Sequence, residues 1–234
     1  MRKTATWILS LFLGCTASYV SAKQLYTLDV QDFTTLEVVD DLNVICLNSA
    51  DSAGLAVFES TPEMVSTVVF KNSKNKLKIE KNIDLYPDLK DFPVITVYSS
   101  ALVSAENCGD STLTVVAPTP GSLFKARVIG NGTLIATDIH ATQAEGTLDT
   151  GKGHLVMEGL TRNVKLKNIG TGRIEAAGLK AETGSVTILG TGPIDCNVSD
   201  ELTVKGLGTG KVYLLGHPKV KKMTVGTISV INME

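Results

Sequence analysis

Five Gly-x-Gly elements recur through the second half of this chain: Gly130/Gly132, Gly151/Gly153, Gly170/Gly172, Gly190/Gly192 and Gly208/Gly210. Their first glycines lie 21, 19, 20 and 18 residues apart. A period near twenty residues marks a unit that stacks on its own copies. Two residues past each pair stand Leu134, Leu155, Ile174, Ile194 and Val212, and four past it Ala136, Met157, Ala176, Cys196 and Leu214. Columns offset by two belong to one face of a strand, since a helix needs partners at three and four. Further alternating pairs follow in the repeats, among them Val164/Leu166, Val186/Ile188, Leu202/Val204 and Met223/Val225.

One such coil cannot bury its apolar side alone, but coils stacked about 4.8 Å apart bury a continuous ladder of like residues. The pattern predicts a parallel β-helix with coils of about twenty residues, right-handed because parallel crossovers nearly always are. The ten glycines are predicted to be structural corners, where the backbone takes angles that side chains make costly. A propeller blade needs a repeat of about 40–45 residues, and leucine-rich repeats need a denser leucine pattern.

The N-terminal half alternates too, less regularly: Leu36/Val38, Leu42/Val44, Leu55/Val57, Val68/Phe70, Leu77/Ile79, Ile95/Val97 and Leu113/Val115. Asn72-Ser73-Lys74-Asn75 separates two of these as a turn or coil corner. Residues 84–93 hold two prolines and no period, so they are expected to form an interrupting loop. With no linker in sight, residues 23–234 are expected to make one elongated domain. Its regular coils run from about 125 to 215, and a terminal strand cap covers 220–234.

Arg2 and Lys3 precede the apolar run Trp7–Leu13, and Val20-Ser21-Ala22 supplies small residues for cleavage. This predicts a signal peptide over residues 1–22 and an exported protein in the periplasm, on the cell surface or secreted. The apolar run is too short to span a membrane, which takes about 20 residues. No transmembrane segment is expected in the mature chain. The stretch ending at Cys15 has a partial likeness to a lipidation signal, with Phe12 where an aliphatic residue belongs; lipidation at Cys15 is the alternative to cleavage after Ala22.

Loss of Arg2 and Lys3 leaves 20 Lys+Arg against 24 Asp+Glu, a formal charge of −4. That excludes the basic footprint of a nucleic-acid binder. Lys71, Lys74, Lys76, Lys78 and Lys81, and the group Lys219, Lys221 and Lys222, are read as solvated faces and edge protection. Cys46, Cys108 and Cys196 remain, an odd number. Cys196 is expected in the core, and a Cys46–Cys108 bridge is left open.

The signals for specific chemistry are sparse. The dinucleotide fingerprint needs a third glycine and a following helix, and neither is present. Calcium β-rolls need a nine-residue repeat that is absent, although Asp110, Asp138, Asp149 and Asp195 are candidates for corner positions. His140, His154 and His217 lack neighbours at metal-ligand spacing. No metal or other cofactor is expected. β-Helix lyases and hydrolases gather carboxylates in a groove, and Asp40, Asp41, Asp84, Asp88 and Asp91 are the acids available. Asp84, Tyr86, Asp88, Asp91, Phe92 and Tyr98 cluster around the irregular loop and form the predicted ligand-binding set, with no catalytic residue assigned.

The Phe33-Thr-Thr-Leu36 opening, the Val94-Ile-Thr-Val97 strand, Leu102 leading into Gly109-Asp110, and the repeated Gly-Thr-Gly-x-Ile rungs together resemble a bacterial family. It is called putative auto-transporter adhesin head, GIN domain, and is also described as a domain of unknown function. The likeness spans roughly residues 27–230. Members typically carry Gly-Ser-Gly rungs; Asn131, Lys152 and threonine replace the serine here, and Lys152-Gly-His154 departs most. The resemblance implies an exported β-helix of a Gram-negative bacterium and carries over no catalytic residue.

The functional expectation is therefore a non-catalytic, exported, adhesin-like interaction module. Its partner would be a glycan, an envelope component, or a protein of the envelope or a host surface; its oligomeric state stays open. A small carbohydrate-active enzyme, lyase or hydrolase, and a structural envelope protein are the alternatives.

Overall fold

A computed structural model describes residues 22–82 and 92–233. The signal-peptide and lipidation readings, and the loop acids, fall outside these residues. Nearly all described secondary structure is β, wound into a parallel solenoid of about six turns.

The alternating residues become strands for the reason the pattern gives: every second side chain finds the interior. Four long strands make the regular coils, β11 (Thr133–Leu148), β12 (His154–Asn168), β13 (Arg173–Ile188) and β14 (Ile194–Gly208). They follow β10 (Gly121–Val128) and precede β15 (Lys211–Leu215), β16 (Lys219–Gly226) and β17 (Ser229–Asn232). The long strands turn where their register with the next coil shifts: Ala136 to Ile139 in β11, Val156 to Gly159 in β12, and twice in β13, at Ala176 to Lys180 and Ala181 to Thr183. Asp138 (φ 56°) and Gly159 (φ 137°) supply the positive angles there. Each coil thus contributes one stretch to a first parallel ladder and one to a second.

In the first ladder Leu134, Leu155, Ile174, Ile194 and Val212 pair in succession, all fully buried. The row continues into Leu113 of β9 (Thr112–Val116) and Val44 of β3 (Val44–Asn48). Burying each such side chain contributes about 1.5–3 kcal/mol. In the second ladder Gly146 sits opposite Leu166, and a Cβ there would lie 2.6 Å from the Met157 sulfur. The missing side chain makes room for a large one from the facing ladder.

The corner glycines need a correction, because backbone angle accounts for only three of them. Gly130, Gly151 and Gly208 have positive φ, whereas Gly132, Gly153, Gly170, Gly172, Gly190, Gly192 and Gly210 do not. Close approach is what excludes a side chain from these seven. A Cβ on Gly132 would lie 2.2 Å from the Gly109 carbonyl oxygen, and one on Gly190 2.1 Å from that of Gly170. On Gly172 and Gly192 it would lie 2.0 Å from the carbonyl oxygens of Gly153 and Gly172. Successive corners nest backbone on backbone, leaving no room for a methyl group. Gly153 and Gly170 also crowd core side chains, at 2.7 Å from Val128 Cγ1 and 2.8 Å from Leu148 Cδ2. Gly210 departs furthest from the prediction: its nearest obstacle is the Ile188 side chain, 2.7 Å from Cγ2, so it makes room in the core.

The N-terminal coils are threaded out of order. β2 (Thr35–Val39) lies between β6 (Lys76–Lys81) and β8 (Ser104–Cys108), while β3 lies between β7 (Ile95–Ser99) and β9. The first coil of the sequence is thus the second in the stack. The chain leaves it through β4 (Leu55–Ser60), the short helix α1 (Pro62–Val65) and β5 (Val68–Ser73) before laying the outermost coil. β4 runs antiparallel to β7 and to β1 (Gln24–Asp29), and β5 antiparallel to β6, covering the end of the stack. Tyr26, Phe58 and Phe70 stack there at 6.0 Å. Lys74 (φ 50°) and Asn75 (φ 64°) make the β5–β6 turn, a two-residue hairpin whose twist suits its strands. The return from β7 to β8 is tied down by Ser99 Oγ, which donates to the Phe33 carbonyl at 2.6 Å, and by Val103 N–H donating to the Thr34 carbonyl at 2.9 Å.

Cys46, Cys108 and Cys196 are free, so the bridge left open above is not formed. Cys46 faces inward between Val97 and Val115, whereas Cys108 belongs to the other ladder beside Val39. Burial pushes the Cys46 and Cys196 thiols up to about 12. Because the thiolate is the reacting species, iodoacetamide at neutral pH should leave both unlabelled in the native protein. Peptide mapping should find both fully modified in denaturant.

Candidate functional site

Beyond the bend, the coils present two exposed rows with a row of small residues between them. His140, Leu160, Lys180 and Asn197 stand in register along one side. Ala141, Thr161 and Ala181 follow as the floor, and Thr142, Arg162, Glu182 and Ser199 line the other wall. Short side chains flanked by long ones on a parallel stack leave a trough along its axis. The result is an open groove of about 760 Å³, with Gly121 at one end.

The walls are polar with one apolar element. His140 Nε2 lies 3.0 Å from Asp138 Oδ1, and Arg162 Nε 3.6 Å from Glu182 Oε2. Leu160 is half exposed between His140 and Lys180. Thr161 Oγ bridges the Thr142 and Asn163 carbonyls at 3.3 and 3.1 Å, holding the floor. Asn163 Nδ2 donates to Thr183 Oγ at 2.8 Å, one coil on. Glu182 is the only carboxylate among the described lining residues, so the two-carboxylate device of glycosidases is not assembled in this groove. What it offers is hydrogen bonding, a cationic bias from Arg162 and Lys180, and one apolar contact.

The predicted ligand set lies elsewhere. Asp84, Tyr86, Asp88 and Asp91 fall outside the described residues. Phe92 is half-buried with the Lys81 ammonium 4.5 Å from its ring centre. Tyr98 belongs to β7, where it pairs with Leu47. Beside Lys81 a second depression of about 630 Å³ is lined by Asp40, Asp41 and Asp110. Asp40 Oδ2 accepts the Lys81 backbone N–H at 2.8 Å, and the Lys81 ammonium pairs with Asp41, whose carboxyl it holds below the usual range.

Of the four aspartates expected at corners, Asp138 and Asp195 lie instead within β11 and β14, and the acids are engaged one at a time. Asp149 pairs with Arg127, Asp110 accepts from Asn131 at 3.4 Å, and Asp195 binds Arg173 at 2.5 Å. Among the described residues no three His, Cys, Asp or Glu side chains come together as a metal site. His154 lies 3.3 Å from Glu175, and His217 3.3 Å from the Asn232 amide nitrogen. The groove escapes a reading of the sequence because its signal is indirect. Ala141, Thr161 and Ala181 recur at the coil period, but small residues at that spacing become a floor only once the coils are aligned.

Solved structures share this architecture. A putative adhesin from Bacteroides fragilis is 21% identical, with a TM-score of 0.77 over 90% of this chain and 99% of its own. A putative lipid binding protein from Parabacteroides distasonis is 16% identical, with a TM-score of 0.72 over 92% and 98%. A putative adhesin from Parabacteroides merdae is 14% identical, with a TM-score of 0.66 over the same shares. No curated protein matches the chain. At these identities the likeness speaks for the fold. The sequence pattern goes further, because the family model for the putative auto-transporter adhesin, head GIN domain, matches residues 32–218. Nearly every coil described above lies within that match, and the chain belongs to this family.

Proposed function

We propose that the protein is a non-catalytic, exported, adhesin-like interaction module that holds an extended glycan in the groove between the His140 and Arg162 rows. Residues 23–234 act as one elongated unit after removal of residues 1–22. The observation that carries this reading is the small-residue floor flanked by polar walls. It repeats at the coil spacing of about 4.8 Å and so presents like groups to a polymer lying along the stack. Membership of an adhesin-described family and neighbours named as adhesins support surface recognition.

A glycan array with the purified mature chain tests it. Lys180→Ala and Arg162→Ala should each lower affinity about tenfold or more, the effect of losing one charge-assisted hydrogen bond. Their melting temperatures should stay close to the parent's, since both residues are exposed. Binding that ignores both substitutions would remove the groove from the account. The second reading, a carbohydrate-active enzyme, draws on the acids Asp40, Asp41 and Asp110 gathered beside Lys81. Oligosaccharide released from a bound glycan would establish it.

A further inference from the structure

At the far end of the second ladder from the groove, the last coils expose an apolar column. Leu189, Leu207 and Val225 are 48%, 59% and 68% exposed, and Met223 beside them 46%. Leu207 pairs with Val225, and Leu189 follows Ile188, whose partner is Gly206. The three side chains therefore line up across successive coils. Two residues back on the same face runs the column Lys167, Thr187, Lys205 and Met223, and beyond it Lys165, Ser185, Thr203 and Lys221. Lys167, Lys205 and Lys221 have no ion-pair partner among the described residues, whereas Lys125, Arg127 and Lys165 on this face are paired. Lys125 and Lys165 reach Glu145, and Arg127 reaches Glu106 and Asp149.

We infer that this face docks on an anionic lipid surface, with Leu189, Leu207 and Val225 entering the headgroup region and Lys167, Lys205 and Lys221 meeting the lipid phosphates. The two features complement opposite parts of one ligand. A straight apolar ridge without a pocket suits a broad, yielding interface more than a single anchoring side chain, and flanking lysines stretch their charge toward headgroups. A second copy of the chain fits less well, because a symmetric contact would set unpaired lysines against their own images. Lys222 also bears on this end. Its ammonium donates to the Ile228 carbonyl inside the final coil, and an inward charge opposes stacking of a further coil.

The test is co-sedimentation of the mature chain with phosphatidylglycerol–phosphatidylcholine vesicles and with pure phosphatidylcholine vesicles. Binding is expected only to the anionic vesicles, weakening as salt rises. The triple variant Lys167→Gln/Lys205→Gln/Lys221→Gln should bind about a hundredfold more weakly, at about fivefold for each lysine near the surface. Leu207→Ser/Val225→Ser should lose about tenfold or more. All these positions face solvent, so circular dichroism should be unchanged. Soluble dextran sulfate should bind far more weakly than vesicles and be indifferent to the Leu207→Ser/Val225→Ser change. The inference is overturned by equal binding to neutral vesicles, by variants that bind like the parent, or by dextran sulfate matching the vesicles. It is equally overturned by a parent that is dimeric through this ridge, monomeric in Leu207→Ser/Val225→Ser, and unable to bind vesicles.

Discussion

Replacing Gly172 with alanine should destabilise the protein by about 4 kcal/mol, well above the usual effect of adding one methyl group. The added Cβ would sit 2.0 Å from the carbonyl oxygen of Gly153 and 2.7 Å from the Lys152 carbonyl carbon. Both are backbone atoms of the neighbouring coil, so no side chain can swing aside. Relief requires the coil to move, and its ladder hydrogen bonds move with it. Arg173 N–H donates to the Gly153 carbonyl at 3.1 Å, so the contact to be broken is next to the one that must survive. In a chain of this size the cost corresponds to a drop of roughly 8–16 °C in Tm. Gly121→Ala is the control. A Cβ there meets nothing closer than 3.9 Å, and the change should stay within about 1 kcal/mol of the parent. Equal effects at the two positions would show that flexibility rather than coil contact sets the cost of alanine.

Asn168→Ala should cost about 3 kcal/mol, because it orphans two buried backbone groups at about 1–3 kcal/mol each. Asn168 is fully buried between Leu148 and Ile188, in a column that runs on through Val128 to a second buried asparagine, Asn107. Its amide donates to the Gly172 carbonyl at 2.9 Å, and its oxygen accepts from Gly170 N–H at 3.0 Å. Asn107 makes the same bracket in an earlier coil, to Ser111, Thr133 and Gly109. Asn168→Leu restores the volume of its neighbours but not the bonds, so it should recover little. Asn168→Asp adds a pH signature. Burial raises the folded pKa of a carboxyl above its unfolded value of about 3.9, so this variant should be most stable in acid and lose stability as pH rises toward 7. Denaturant unfolding at several pH values checks both claims; a pH-independent Asn168→Asp protein would mean the side chain reaches water.

These two positions show how the fold is legible and where legibility stops. Gly172 announces itself through the period, and its neighbours Ile174 and Ala176 declare their face by alternation. The period does not say why a glycine is needed. Gly132 and Gly210 occupy the same place in their repeats, yet one is held by a backbone contact and the other by a core side chain. Asn168 gives no sign at all, because asparagine beside a glycine corner looks like an ordinary solvated turn. Only alignment with Leu148 and Ile188 shows that it points inward. The N-terminal threading is hidden for a related reason. Leu36 and Val38 alternate in the same way whichever coil they touch, and nothing local to them says that Leu77 lies on one side and Ala105 on the other. That order is set by the path through β4, α1 and β5, a long-range matter that periodicity does not record.

The candidate site is harder still. Choosing by residue type, acids and aromatics near an irregular loop, leads to Phe92 under Lys81 and Tyr98 on β7. The groove instead arises from what is small: Ala141, Thr161 and Ala181 fail to fill the space that His140 and Arg162 enclose. At the lysine-flanked ridge, edge protection accounts for the charge of Lys221 but not for the exposure of Leu207 and Val225 beside it. Concavity and unpaired charge are properties of stacked coils, and a linear pattern names their parts without assembling them.

Paired cysteines read the stack itself. With Cys108 replaced by serine, Thr147→Cys/Lys167→Cys should close a disulfide on mild oxidation, because these residues are direct partners on adjacent coils and a neighbouring-strand Cα separation falls within the range a disulfide tolerates. Thr147→Cys/Thr187→Cys should stay reduced, since Lys167 and its coil lie between them. Mass spectrometry distinguishes the two outcomes. A bridge between positions 147 and 187, or none between 147 and 167, would contradict the coil-on-coil order.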